Sequence, residues 1–70
     1  MTKMTPPQII DRWPSLADFA ADAGVSFNTA KMMRYRASIH ARHWPKIVAA
    51  AAKRGIKAVT YEALAKAHAA

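Results

Sequence analysis

The sequence predicts an all-α fold, a compact bundle of about five short helices in a single domain over residues 1–70. Three observations lead there. Apolar residues recur at spacings of three and four, and no stretch alternates as a strand does. Residues suited to helix N-caps, Thr5, Ser15, Ser26 and Thr60, stand before those runs. Glycines, Gly24 and Gly55, stand where two of the runs must stop.

The elements follow in order. Thr5-Pro6-Pro7 opens a short helix reaching about Arg12, because prolines in a first turn lack only N–H groups that have no partner there. Trp13-Pro14 breaks it, since the residue before a proline avoids helical geometry. Ser15, with Asp18 three residues later, is spaced as a capping box for a second helix from Leu16. On that helix Leu16, Phe19, Ala20 and Ala23 share a core face, with Asp18 and Asp22 on the other side as capping or solvated residues. Gly24 ends it and Ser26 caps a third helix.

Counted from Asn28, Lys31, Met32 and Tyr35 lie within about 60° of one direction on the third helix, and Ala30, Met33 and Ala37 lie opposite. A fourth helix is expected over Ala41 to Arg54, with Pro45 in or near its first turn and Trp44, Ile47, Val48 and Ala51 on its buried face. Lys53, Arg54 and Gly55 supply a basic last turn and a stop. Thr60 caps a fifth helix over 61–69, with Val59 spaced to pack on Leu64 and with Tyr61, Leu64, Ala65 and His68 on one face.

The segment LADFAADAGVSFNTAKMMRY, Leu16 to Tyr35, fits a twenty-residue helix-turn-helix pattern, with small Ala20 at its fifth position, Gly24 at its ninth and Val25 at its tenth. A small residue lets two helices approach, glycine turns the chain, and the apolar residue after it plugs the angle between them. Ala30 and Met33 fill the apolar positions of the second helix, Ala30 where a larger aliphatic side chain is more usual.

With this motif, with Ser38-Ile39-His40-Ala41-Arg42-His43-Trp44-Pro45-Lys46-Ile47 after it, and with the closing Val59-Thr60-Tyr61-Glu62-Ala63-Leu64, the chain resembles the small Cro-like regulators of phages and mobile elements. The likeness covers nearly everything from Ser15 onward, and His40 stands where that family often has proline. It implies a lambda-repressor-like fold and sequence-specific binding of double-stranded DNA by a small transcriptional regulator. Such a protein acts as a dimer on an inverted-repeat operator.

Carried onto this chain, the family's base-contacting positions are Phe27, Asn28, Lys31, Met32 and Tyr35. Asn28 suits adenine, Lys31 suits guanine, and Phe27 and Met32 suit a thymine methyl. Phe27 equally fits the edge of the core, and Met32 an exposed helix position. Ser26, Thr29, Arg34, Arg36 and Arg42 flank that front as phosphate contacts, the arginines alternatively as solvated charges. The Tyr61, Leu64 and His68 face is the expected dimer interface, with closure of the monomer core as the other use of Leu64.

Charge agrees. Eleven Lys and Arg face four Asp and Glu, a net +7. Between Asp22 and Glu62 no acidic residue occurs, while Lys31, Arg34, Arg36, Arg42, Lys46, Lys53, Arg54 and Lys57 do. Such a surface favours a polyanion. The absence of cysteine excludes disulfides, thiolate metal sites and thiol nucleophiles, and no apolar run approaches the ~20 residues of a membrane span. No cofactor, metal or enzymatic motif is expected; His40 and His43 have the spacing of a ligand pair but no third ligand nearby. A cytoplasmic protein follows. Two rival functions share these features: an excisionase-like architectural factor that bends DNA, and a protein-interaction module on the same fold.

Overall fold

A computed structural model describes residues 4–69. Five α-helices form the bundle: α1 over Pro6–Ile10, α2 over Leu16–Ala23, α3 over Phe27–Arg36, α4 over Trp44–Arg54 and α5 over Tyr61–His68. No strand occurs among the described residues. Phe19, Ile9, Ile10, Ile39, Ile47 and Leu64 are fully buried at the centre. Each of α1, α2, α4 and α5 thus supplies at least one anchor, and each anchor stabilises the fold by about 1.5–3 kcal/mol through water exclusion. In contrast, α3 contributes only Ala30 and Met33.

The caps form where hydroxyls stand. Ser15, Ser26 and Thr60 accept from the backbone N–H groups of Asp18, Thr29 and Ala63. The reciprocal box forms at α1: Gln8 N–H donates to Thr5 Oγ1, and Thr5 N–H donates to Gln8 Oε1 at 2.9 Å. At Ser15 the hydroxyl instead donates to the Asp18 carboxylate at 3.0 Å. The expected first helix is shorter, ending at Ile10 rather than Arg12.

Three helices end in one motif. After α2, Val25 N–H reaches back to the Ala20 carbonyl at 3.0 Å and Gly24 N–H to that of Ala21. After α4, Ile56 and Gly55 repeat the pattern on Ala51 and Ala52. After α3, Ser38 and Ala37 repeat it on Met33 and Arg34. This crossing pair of bonds requires a left-handed residue at the turn. Gly24 at φ 72 and Gly55 at φ 75 adopt it freely, but Ala37 holds φ 53 with a Cβ. Ala37 therefore leaves the helical face it was expected to share with Ala30 and Met33.

The fourth helix starts later than expected. Residues Ala41–His43 form a 3₁₀ turn, and α4 proper begins at Trp44. His40, standing where a proline would preset the entry, caps this turn by accepting from Arg42 N–H at Nδ1, 3.2 Å away. Pro45 lies in the first turn of α4, where its missing N–H costs nothing.

Asp22 joins the bundle's two halves. Its Oδ2 accepts from the indole N–H of Trp13 at 2.7 Å and from Arg54 Nε, and Oδ1 takes a longer bond from Arg54 Nη2. Trp13, itself buried, meets Phe19 edge to face with ring centroids 5.1 Å apart. Neither Asp18 nor Asp22 is merely solvated, because Arg54 also stands 3.9 Å from Asp18. The Arg54 hydrogen bond, aided by that from Trp13 and by the charges of Arg54 and Lys53, outweighs desolvation and holds the Asp22 carboxyl below its ordinary range.

Ala37→Gly removes the left-handed strain and should raise stability by about 1 kcal/mol in urea unfolding. The sign for Asp22 follows from its lowered folded-state value. Its stabilising contribution is present above the unfolded-chain carboxylate pKa of about 3.9 and is lost as pH falls through the lower folded value. Asp22→Asn should flatten the acid limb of a urea-midpoint profile while the wild type loses stability there.

Candidate functional site

A helix of ten residues that buries two leaves most of its circumference in solvent. Along α3, Asn28 and Lys31 are exposed, Tyr35 retains 85% of its surface and Phe27 54%, and Met32 is half-buried. Phe27 is therefore not a core residue. Two large aromatics, an amide and an amine stand on a helix that alone would be marginal at this length. Its hold on the bundle comes from Ala30 and Met33 beneath, from the Ser26 cap before it and from the Ala37 turn after it. Leu16, at the start of α2, lines a shallow groove with Lys31, Met32, Arg34 and Tyr35.

The residues expected to flank this face divide. Ser26 Oγ is spent on the cap and donates to Thr29 Oγ1 at 2.9 Å, which leaves Thr29 its own hydroxyl proton to offer outward. Arg36 and Arg42 are exposed and have no ion-pair partner among the described residues.

Arg34 departs from its expected role as an open phosphate contact. Its Nε and Nη2 each lie 3.0 Å from one oxygen of Asp11, a two-point ion pair joining the last turn of α3 to the residue after α1. The Asp11 hydrogen bond and charge raise the Arg34 pKa above its already high ordinary value. Nothing in the local spacing pointed to this partner, 23 residues away.

The expected dimer face of α5 is corrected in two of its three residues. Leu64 is fully buried in the monomer core and has no surface for a partner. His68 is turned inward: its Nε2 accepts from Ile39 N–H at 2.8 Å, and its Nδ1 lies 2.8 Å from the Leu64 carbonyl. These contacts assign the neutral ring with its proton on Nδ1, donating to Leu64. Trp44 completes the clamp, its indole N–H donating to the Ile39 carbonyl at 2.9 Å and its ring 5.5 Å from that of His68. Both backbone groups of Ile39 are thus held by side chains from α4 and α5. Tyr61, 52% exposed, is what remains of the expected interface.

Pairing sorts the charges. Asp11 takes Arg34, Asp18 and Asp22 take Arg54, and Glu62 takes Lys66 one turn on. Arg12, Lys31, Arg36, Arg42, Lys46, Lys53 and Lys57 are left without ion pairs among the described residues. Lys46 lies over the α2–α3 turn, its Nζ 2.9 Å from where a Gly24 Cβ would stand.

His40 Nδ1 is occupied by the Arg42 N–H, and no group of three or more His, Asp or Glu able to hold a metal occurs among the described residues. Nor is any described helix long and apolar enough to cross a membrane. No protein-family model, curated protein or solved structure matches the chain.

His68→Ala should cost about 1–3 kcal/mol in urea unfolding, since it strips the Ile39 N–H of its acceptor. Sedimentation should show the oligomeric state unchanged, because the lost contact is internal.

Proposed function

We propose that the chain binds double-stranded DNA sequence-specifically as a small transcriptional regulator of the Cro-like kind. In this reading α2, the Gly24 turn and α3 form the helix-turn-helix, with α3 entering the major groove. The observation that carries it is the exposure of α3: Phe27, Asn28, Lys31 and Tyr35 stand in solvent while only Ala30 and Met33 are buried. A helix about 10–12 Å across matches a groove about 12 Å wide. The absence of any carboxylate between Asp22 and Glu62 supports the same partner, because nothing on that stretch repels phosphate.

Asn28 is assigned to adenine and Lys31 to guanine, Phe27, Met32 and Tyr35 to apolar or edge contacts, and Thr29, Arg36 and Arg42 to phosphates. One such helix reads only a few base pairs. Two copies on an inverted repeat, with half-site centres about 34 Å apart, are the arrangement proposed for an operator. Exposed Tyr61 is the residue of the α5 surface available to join them.

Selection from a random duplex pool, followed by titration at about 0.15 M salt, tests the reading. A selected sequence should bind more tightly than random duplex, and affinity should fall steeply with salt. Asn28→Ala should cost about 1–3 kcal/mol at the selected site and relax preference at one base pair. Arg36→Ala should weaken selected and random duplex alike. Equal affinity of the wild type for every sequence would overturn the proposal.

A further inference from the structure

Beyond the face of α3 lies a second feature. Where α3 ends and the 3₁₀ turn begins, a cleft of about 230 Å³ is lined by Thr29, Arg36, Ser38, His40, Arg42 and His43, with Met32 and Met33 as its apolar wall. Every ionisable group lining it is basic. We propose that this cleft seats one phosphodiester group and that seating it protonates His43, so that duplex binding takes up a proton. The inference rests on the DNA-binding reading and adds to it a linkage that base recognition does not require.

The two histidines play different parts. His40 Nδ1 already accepts from Arg42 N–H, which leaves Nε2 as the ring nitrogen that can face a phosphate. His43 caps nothing and makes no side-chain hydrogen bond among the described residues. Every ionisable group that faces it is basic: Arg42 and His40 from the 3₁₀ turn, Lys46 one turn along α4, and Arg36 across the cleft from α3. Burial first, then the charges of Arg42, His40 and Lys46, push the His43 pKa down. A lone imidazolium is therefore disfavoured in the empty cleft.

A phosphodiester reverses that balance. Its single negative charge, placed among Arg36, Arg42 and the Thr29 hydroxyl, offsets part of the positive charge that, together with burial, lowers the His43 pKa. The ring then gains a proton from solvent and donates a charge-assisted hydrogen bond to a phosphate oxygen. Binding tightens as pH falls through the value His43 has when the phosphate is seated. It levels off below the value His43 has in the free protein.

The test measures affinity for random-sequence duplex, which isolates backbone contacts, at about pH 8 and pH 5.5, for the wild type and His43→Gln. Wild-type affinity should rise at least about fivefold at the lower pH. His43→Gln should show no such rise, with circular dichroism confirming that both proteins stay folded at both values. Calorimetry in two buffers of different ionisation enthalpy should register proton uptake for the wild type alone. Wild-type binding that is equal at the two pH values, or a rise that His43→Gln retains, overturns the inference and leaves the proposed function standing. If duplex does not bind at either pH, the proposed function fails instead. The cleft is then decided by the His43 imidazole resonance during titration with inorganic pyrophosphate: a raised midpoint supports a phosphate seat, and an unmoved one overturns it.

Discussion

The close approach of α2 and α3 is the constraint on which the rest of the molecule depends. It is made by subtraction: Ala20, Ala23 and Ala30 are buried where larger side chains would hold the helices apart, and Gly24 turns the chain in a conformation that a Cβ resists. Because backbones meet closely, α3 docks through two side chains and keeps the others outside. A deeply anchored helix would bury one face of its side chains in the core and have fewer to present. Stability missing from this contact is supplied by Phe19, Ile47 and Leu64 elsewhere in the core, so the projecting helix is carried by the bundle rather than contributing to it.

The same division governs charge. Asp18 and Asp22 face Arg54 of α4, and Asp22 also satisfies the indole N–H of buried Trp13. One carboxylate thus answers two needs, a polar group that would be costly to bury alone and a cation at the end of α4. Lys31, Arg36, Arg42 and Lys46 have no such partner among the described residues. Burial together with the charges of Arg42, His40 and Lys46 lowers the His43 pKa, whereas hydrogen bonds from Arg54 and Trp13 lower that of Asp22.

Much of this was legible in the chain. Hydroxyl caps, glycine stops and three-four periodicity placed α2, α3 and the turn between them, because these signals act over three or four residues. What escaped them acts over longer separations. Asp11 meets Arg34, Asp22 meets Arg54 and Ile39 meets His68 across 23, 32 and 29 residues, and a helical period reports which face a residue occupies without reporting what covers it. For that reason the periodicity of Tyr61, Leu64 and His68 left open whether Leu64 meets a partner or closes the core; Leu64 closes the core, His68 turns inward to Ile39, and Tyr61 stays exposed. The split of the fourth helix was hidden differently, since His40 caps the 3₁₀ turn with a ring nitrogen, a use of histidine that capping preferences do not anticipate.

Arg34 shows how the geometry refines a reading of charge. Counted by sequence it adds to the basic front, yet paired at two points with Asp11 it brings no net charge there. The planar fork of guanidinium on carboxylate links the last turn of α3 to the residue after α1 at two points. With this cation paired, Lys31, Arg36 and Arg42 are the cations of α3 and the turn after it that have no ion pair among the described residues. Arg36 and Arg42 line the cleft beyond the end of α3 together with His43, whose ring makes no hydrogen bond among the described residues.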